Sequence, residues 1–383
     1  MTKSNIDLCP QQLLAGESVG IREEIVDFAI IGGGIAGLSV ARAVSANGTT
    51  IVLERESHCG YHSTGRSAAI FVEGYGEPAV QEISRISRPM FDAMAMSIGR
   101  SVLEIRGLVI LRNAAQDNEA DDPTRIDRAA AVAKVPVLRA DSFVSANFDP
   151  IAADIDVHAV QQYYTHGAKS AGANIRTLAE VLAADRRDGI WYIVLAGGDE
   201  IRAKTVINAA GAWAEAIGGM FGATRQGLAA FKRTAAVVQL VGGPDIRNWP
   251  MVVDATEQLY FKPESNGLFL SPADEQLTDP ADVYAEDLDI AIAIDRLERY
   301  TNLTVQRVIA SWAGLRTFAP DRLPVVGFDP TAPGFFWLAG QGGTGVQSAP
   351  ALAALAAQAI TAPGGISSAD RALLDAFAPN RFG

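Results

Sequence analysis

Cysteine is nearly absent from this chain of 383 residues, which contains only Cys9 and Cys59. Two cysteines are too few for a disulfide framework or for a zinc site with four cysteine ligands. The four histidines do not cluster at a spacing typical of metal ligands; they are His58, His62, His158 and His166. We therefore expect two free thiols in a reducing compartment and no bound metal.

Long apolar runs and clusters of basic residues are also missing. No window reaches the ~18 uninterrupted apolar residues of a membrane helix, and residues 1–24 contain neither the apolar core nor the twin arginine of an export signal. The net charge of −12 disfavours binding to nucleic acids and anionic lipids. We expect a cytoplasmic protein with a small-molecule partner and a surface extension at 1–23.

The composition is that of an ordinary enzyme, since 49% of the residues are hydrophobic and 20% are charged. The length predicts two domains. The segment IVDFAII at 25–31 predicts a strand, and a glycine turn, a helix and the strand TTIVLERE at 49–56 follow it. A strand, a glycine turn and a helix recur from GFFWLAG at 334–340 onward. The predicted fold class is therefore α/β.

The middle of the chain predicts further helices and a second sheet. Helical spacing of apolar residues occurs at 77–98, 156–171 and 284–300. Residues 107–112 resemble a buried strand, 181–211 a three-stranded meander, and 228–272 the strands of a separate, β-rich lobe. The polar stretch 113–133 predicts an exposed excursion.

The first glycine turn carries the pattern G-x-G-x-x-G at Gly32, Gly34 and Gly37. Glu54 ends the next strand, 17 residues beyond Gly37, where an acid can accept hydrogen bonds from ribose hydroxyls. The helix N-terminus offers N–H groups to phosphates, with Ile35 and Ala36 as its first residues. The pattern predicts dinucleotide binding, and an acid at position 54 disfavours NADP.

The stretch that follows favours FAD over NAD. An NAD-binding unit would continue with further strand–helix units, whereas here SHCGYHSTGRSAAI follows at 57–70. Such a pliant loop lets backbone amides approach a flat ring and a diphosphate. Arg66 can either neutralise the phosphates or anchor the loop. The candidate cofactor contacts here are Arg55, Ser63, Thr64, Gly65, Arg66, Ser67, Ala68 and Ala69.

Two distant segments support an extended cofactor. INAAGAW at 207–213 ends a strand on small residues, with candidate contacts at Ala210, Gly211 and Trp213. AGQGGTGVQ at 339–347 predicts a second helix N-terminus, whose dipole can stabilise charge on a reduced flavin. Its candidate contacts are Gly340, Gln341, Gly342, Gly343, Thr344, Gly345, Val346 and Gln347.

These motifs together resemble the D-amino acid oxidase superfamily of FAD enzymes, most closely its D-arginine dehydrogenase branch. The resemblance rests on the segments above and on NWPM at 248–251, LYFKP at 259–263 and WAGLRTFAPDRLPVVG at 312–327. It implies non-covalent FAD and a Rossmann-like FAD-binding domain beside a β-rich substrate domain. The implied FAD-binding segments are 24–100, 150–222 and 308–383, and the substrate segments are 101–149 and 223–307.

The resemblance also implies a reaction and its residues. A D-amino acid would lose a hydride from Cα to flavin N5, and the imino acid would hydrolyse to a 2-oxo acid and ammonia. By motif, Arg316 and Arg233 would hold the substrate carboxylate, since guanidinium suits a carboxylate. Tyr75 and Tyr260 would contact its carboxylate or amine, and Val181 would meet the adenine through its backbone.

The chain departs from its basic-substrate relatives at two positions. Ile70 stands where they carry histidine, and Leu108 where they carry a glutamate for the substrate guanidinium. A cationic side chain would lie uncompensated beside Leu108, at a cost of several kcal/mol. We therefore predict a substrate with a neutral, apolar side chain, although Glu73 could partly compensate a cation.

Other functions remain open at this stage. Oxidation of a small or N-alkylated amine, as by glycine or sarcosine oxidase, uses the same scaffold, as does a 2-hydroxy acid dehydrogenase. A flavin-holding sensor without catalysis is a third class, which the retained arginines and tyrosines disfavour. The motifs do not distinguish oxygen from a quinone as electron acceptor, and they leave the oligomeric state open.

Overall fold

The computed structural model describes residues 25–114, 122–254, 256 and 258–382. The predicted extension at 1–23, Cys9, and part of the predicted excursion at 113–133 lie outside the described residues. The helices are α1 (Ile35–Val44), α2 (Pro78–Ile98), α3 (Arg128–Lys134), α4 (Val157–Ser170), α5 (Ala214–Met220), α6 (Asp287–Tyr300), α7 (Gly345–Thr361) and α8 (Ser368–Ala376).

Within the described ranges, the strands form three sheets. In chain order they are β1 (Ile25–Ile31), β2 (Thr50–Leu53), β3 (Ile70–Phe71), β4 (Leu103–Ile105), β5 (Leu108–Arg112), β6 (Arg125–Ile126), β7 (Ser145–Asp149), β8 (Ala153–Ile155), β9 (Asn174–Arg176), β10 (Val181–Arg187), β11 (Ile190–Leu195), β12 (Glu200–Asn208), β13 (Ala229–Leu240), β14 (Met251–Asp254), β15 (Tyr260–Glu264), β16 (Gly267–Ser271), β17 (Gln276–Thr278), β18 (Val305–Phe318), β19 (Val325–Phe328) and β20 (Phe335–Ala339). The mixed α/β fold class is confirmed.

The first sheet has a parallel centre in the order β12-β1-β2-β9, with β20 parallel to β12. Strands β10 and β11 continue it on one side as an antiparallel meander. The second half of β1, FAII at 28–31, is apolar and buried because both faces of the sheet are covered there, whereas Ile25 is exposed and Asp27 pairs with Lys204 at 2.8 Å. Ile30 packs toward α1 and α7, whereas Ala29 and Ile31 pack into the core on the other face.

The second sheet runs in the order β17-β13-β16-β15-β14-β5-β7-β6, with β18 along β13. Its pairs are antiparallel except for β14 with β5. Strands β3, β8 and β4 form a third, small sheet. The predicted boundary at 308 falls inside β18, which pairs with the second sheet; the domain boundaries themselves stay predictions.

Most predicted elements are present, and the middle region also contains elements that the sequence does not predict, among them β4, β7, β8, β9 and β14. Strand β14 has only four residues, MVVD, which are too few to show a periodicity. The polar stretch 113–133 includes β6 and α3, and the Asp127 side chain caps α3 by accepting a hydrogen bond from Ala130 N. Ala131 is fully buried, so this part of the stretch packs against the lobe.

Two adjacent glycines of α5 give a matched test of the packing. A Cβ on Gly218 would collide with the indole of Trp337, whereas a Cβ on Gly219 would meet nothing within 4 Å. Trp337 is fully buried, and its Nε1 donates to Asp329 Oδ2 at 2.9 Å, so it has no room to shift. Gly218→Ala should lower the free energy of unfolding by about 1–3 kcal/mol.

Gly219→Ala is the control, and it should leave stability unchanged or raise it by up to about 1 kcal/mol through helix propensity. Urea denaturation of the two variants measures the difference. Equal effects from both substitutions would contradict the close contact with Trp337.

Candidate active site

A cavity of about 600 Å³ lies where the first and second sheets meet. This volume is within the range of small-molecule and cofactor sites. Both glycine turns contribute to its wall, as do the loop at 60–76 and strands β5, β13, β14, β15 and β18.

The first glycine turn brings backbone segments into close contact. Gly32 has φ of +104°, and a Cβ there would collide with the carbonyl oxygen of Ala209 at the end of β12. A Cβ on Gly37 would collide with the carbonyl oxygen of Gly32. Helix α1 begins after Gly34 without a side-chain cap from that residue. Glycine at these positions therefore lets the backbone of the turn and the start of α1 lie close to a ligand such as a diphosphate.

Thr64 and Glu54 fix the polar surroundings of this turn. Thr64 Oγ1 accepts a hydrogen bond from Ile35 N at 3.0 Å. Glu54 is buried, and its two oxygens accept from Gly33 N at 2.7 Å and Glu56 N at 2.8 Å. These two hydrogen bonds fix the carboxylate in the cavity wall, where it can accept a hydrogen bond from a ribose hydroxyl.

Cys59 packs beside the same turn as a half-buried, free thiol. Burial first, and the charge of Glu54 second, raise the pKa of Cys59 to about 11. The group is therefore a neutral thiol at physiological pH, and nucleophilic chemistry is not expected of it.

Arg66 makes the contacts of a loop anchor. Its Nη2 lies 2.5 Å from Asp282 Oδ1, and its Nη1 donates to the carbonyl oxygens of Val283 and Ala313 at 3.1 Å each. The Arg66 guanidinium holds the pKa of Asp282 below its usual value. Of the two roles left open by the sequence, anchoring is the one that these contacts favour.

The second glycine turn packs against β18. Gly342 has φ of +54°, and a Cβ there would collide with the ring of Phe318. A Cβ on Gly343 would lie 3.0 Å from Cζ of Arg316. Helix α7 then begins at Gly345, and Thr344 supplies no side-chain cap. This helix N-terminus thus opens beside the Arg316 guanidinium.

Strand register places both predicted clamp arginines on one face of the second sheet. In the antiparallel pair of β13 and β18, Arg233 lies opposite Gly314, and Arg316 lies opposite Phe231. Positions 314 and 316 share a face, so Arg233 and Arg316 are diagonal neighbours across the pair. Both line the cavity.

The predicted tyrosines also line the cavity, together with an apolar wall. Tyr260 is buried, and its ring stacks on Phe269 at a centroid distance of 5.8 Å. Tyr75 is half-buried on the loop. The apolar wall comprises Ile70, Leu108, Ile110, Met251, Val253 and Phe269.

Glu73 lies outside this wall. Its Oε1 is 4.0 Å from Nη1 of Arg88, and it is not among the residues that line the cavity. Leu108 is buried in the wall, opposite Met251 in the parallel pair of β5 and β14. The arrangement suits a neutral group next to Leu108.

Most predicted site residues come together in the cavity. Those that line it are Gly32, Gly34, Ile35, Ala36, Glu54, Arg55, Ser63, Thr64, Arg66, Ser67, Ala68, Ala69, Tyr75, Val181, Ala210, Gly211, Trp213, Arg233, Tyr260, Arg316, Gln341, Gly342, Gly343, Gly345, Val346 and Gln347. Four do not: Gly37, Gly65, Gly340 and Thr344. Gly37 lies in α1, Gly65 in the loop at 60–76, and Gly340 and Thr344 in the second glycine turn; all binding roles stay predictions.

Two lining side chains are already held by other groups. The amide of Gln347 accepts from Val72 N and donates to Val72 O and Ser84 Oγ, so it ties α7 to the loop. Trp213 packs against the His62 ring at 4.5 Å and beneath the Arg55 guanidinium at 4.6 Å. These contacts shape the wall around a ligand.

Among the acidic residues beside the cavity that the sequence did not indicate are Asp254 and Glu275. Asp254 lines it at the end of β14, is buried, and accepts a hydrogen bond from Tyr300 OH at 3.1 Å. Glu275 lies behind Arg233 and pairs with it at 3.0 Å. Neither stands in a recognisable motif, and Asp254 could have been suspected only if β14 had been predicted.

Within the residues that the structure describes, no group of His, Cys, Asp or Glu side chains is arranged to hold a metal ion. No helix in the described part of the chain combines the length and apolar character needed to span a membrane.

Comparisons with known proteins agree on one scaffold. Glycine oxidase from Geobacillus kaustophilus (strain HTA426) is 23% identical over 359 residues, covering 87% of this chain and 92% of that protein. Mitochondrial dimethylglycine dehydrogenase from Rattus norvegicus is 24% identical over 335 residues, covering 78% of this chain and 38% of that protein.

Solved structures resemble the whole fold. L-proline dehydrogenase from P. horikoshii superposes with a TM-score of 0.80 at 22% identity, covering 94% of this chain and 98% of that chain. Glycine oxidase from Geobacillus kaustophilus superposes with a TM-score of 0.77 at 19% identity, covering 93% and 98%. At these identities the likeness shows the fold.

The family assignment comes from a sequence model that matches most of the chain. The model for FAD dependent oxidoreductases, DAO, matches residues 27–359. The matched span includes both glycine turns, both arginines and both tyrosines. The two glycine turns that precede α1 and α7, the buried Glu54 and the cavity between the turns fit the two ends of this cofactor. The chain belongs to the DAO family of FAD dependent oxidoreductases.

Proposed function

We propose that this protein oxidises a D-amino acid with a neutral, apolar side chain. The products are the 2-imino acid, which hydrolyses in water to the 2-oxo acid and ammonia, and the reduced cofactor. The observation that carries the proposal is the placement of Arg233 and Arg316 on one face of the β13–β18 pair, with Arg316 against Gly343 of the second glycine turn.

The arginines are suited to orient the substrate by its acid end. A guanidinium binds a carboxylate through two parallel N–H donors, which fixes direction as well as position. Because Arg316 packs against the turn before α7, a carboxylate bound there is held close to that turn. When bound, FAD accepts the hydride that leaves the substrate Cα.

The rest of the wall supports this orientation. The apolar cluster around Leu108 and Met251 excludes water and accepts an uncharged side chain. An amine placed among these groups is favoured in its neutral form, because burial disfavours a charged amine. Tyr75 and Tyr260 offer hydroxyl groups for the carboxylate or the amine. Positioning and desolvation by these residues then promote the transfer without a dedicated base.

A second candidate is a small or N-alkylated amino acid. The similarity to a glycine oxidase and a dimethylglycine dehydrogenase favours it. Such a substrate would use the same arginines, and it would leave the apolar wall around Leu108 unfilled. The two candidates therefore differ in whether a larger side chain improves turnover.

Anaerobic bleaching of the flavin tests the proposal. The purified holoenzyme is mixed with D- and L-alanine, D- and L-leucine, D-methionine, D-arginine, glycine, sarcosine and D-lactate. We expect D-leucine and D-methionine to bleach the absorbance fastest. Faster bleaching by glycine or sarcosine would select the second candidate, and faster bleaching by an L-amino acid or by D-lactate would contradict both. Readmission of air then tests oxygen as acceptor.

Arg316 should be essential for substrate binding. Arg316→Leu should lower kcat/KM by about two to three orders of magnitude, because a buried charge-assisted contact is lost. Arg316→Lys keeps the charge but loses the two parallel donors, so it should recover only part of this loss. Steady-state kinetics with D-leucine measures both variants, and FAD absorbance per protein serves as the folding control. Full activity of Arg316→Leu would disprove the clamp.

Leu108 should set the preference for side-chain charge. Leu108→Glu should raise the kcat/KM ratio of D-arginine to D-leucine by about tenfold or more, since a carboxylate compensates the guanidinium. Leu108→Gln is the matched control, with similar shape and no charge, and should change the ratio far less. A wild-type enzyme that already prefers D-arginine would show that Leu108 does not face the side chain.

A further inference from the structure

The carboxylate of Glu275, which does not line the cavity, forms an ion pair with Arg233. Arg233 Nη2 lies 3.0 Å from Glu275 Oε1, and its Nε donates to the carbonyl oxygen of Asp274 at 2.7 Å. The same oxygen of Glu275 accepts from Arg322 Nη2 at 2.8 Å. Glu275 does not line the cavity, so its contact with the site runs through Arg233.

The backbone on both sides of this bridge has an unusual conformation. Ala273 has φ of +52° and Arg322 has φ of +63°, values that residues other than glycine rarely adopt. Ala273 N donates to Ser271 Oγ at 3.1 Å, and Ser271 Oγ donates to Thr234 O at 2.5 Å. The turn at Ala273, two residues before Glu275, is thus hydrogen-bonded through Ser271 to β13 beside Arg233. Strain held in this way is a feature of functional loops.

Arg322 connects the bridge to the second glycine turn. Its guanidinium lies 3.9 Å from the ring centroid of Phe318, and the ring packs on Gly342. Phe318 ends β18, two residues after Arg316. A series of contacts therefore links β18, the strand of Arg316, to the side chain of Arg233. It runs from Phe318 to Arg322 and then through Glu275.

We propose that Glu275 is a positioning residue: shared with Arg322, it orients the Arg233 guanidinium so that Nη1 faces the substrate carboxylate. The inference rests on the proposed function, in which Arg233 binds that carboxylate. Arg233 has five N–H donors, and the contacts with Asp274 and Glu275 engage donors on Nε and Nη2. Nη1 is then directed away from these two partners.

The test measures binding of butanoate and its isosteric amide, butanamide, to the holoenzyme through the change in flavin absorbance. Glu275→Ala should weaken butanoate binding about tenfold or more and leave butanamide binding within about twofold, because only the carboxylate needs the guanidinium. Glu275→Gln keeps a neutral acceptor oxygen in place, so its affinity for butanoate should stay within about threefold of wild type.

Two further variants act as controls. Asp295→Ala removes an exposed pair with Arg299 on α6 and should leave both affinities unchanged. Arg322→Leu releases one end of the bridge and should weaken butanoate binding about threefold. The double variant with Glu275→Ala should be no weaker than Glu275→Ala alone, because both act through one contact.

Three results would overturn the inference: equal loss of both probes in Glu275→Ala, a Gln variant as impaired as the Ala variant, or additive losses in the double variant. Wild-type protein that binds no butanoate would instead overturn the carboxylate site itself. If wild type binds butanoate while no amino acid bleaches the flavin, the proposed oxidation fails and the role of Glu275 is still decided.

Discussion

The pairing of β13 with β18 is the constraint on which the site depends. Because successive residues of a strand face opposite sides, a shift of one residue in this pairing would place Arg233 and Arg316 on opposite faces of the pair. Gly314, opposite Arg233, has no side chain, and a Cβ there would lie 3.3 Å from Cβ of Arg66. With glycine at position 314, this register leaves room beside β18 for Arg66 and the loop at 60–76.

Strand β18 contacts both the second glycine turn and the loop at 60–76, and so joins the two halves of the site. Its last residues pack against the second glycine turn through Phe318 and Arg316, while its backbone carbonyls accept from the loop through Ser63 and Arg66. The loop in turn reaches the first glycine turn through Thr64. An extended cofactor can therefore be surrounded by one continuous set of contacts that starts at α1 and ends at α7.

The charges of the site are balanced locally although the whole chain carries −12. Arg66 pairs with Asp282, and Arg233 pairs with Glu275. Buried cations are tolerated when such partners are present, and they keep their orientation because the partners are themselves held. The six side chains of the apolar wall around Leu108 are uncharged, and the carboxylate of Asp254, which also lines the cavity, accepts a hydrogen bond from Tyr300 OH.

The sequence by itself determined the local elements and the motifs that need a single backbone geometry. Strand β1, the glycine turn with Gly32 and Gly37, and helices α1, α2, α4, α6 and α7 were predictable, because apolar periodicity and close backbone contacts depend on residues that are near one another in the sequence. Helices α3, α5 and α8 were not predicted. The family resemblance also pointed to Arg316, Arg233, Tyr75 and Tyr260, which share the cavity.

Tertiary structure alone decided the contacts between distant segments. Arg66 anchors the loop through Asp282, which lies 216 positions later in the chain. The position of Glu275 depends on the turn at Ala273, which has positive φ and no recognisable sequence motif. Asp254 reached the cavity through β14, whose residues show no periodicity. Such pairings follow from sheet register and chain crossings, which a single sequence does not encode in neighbouring residues.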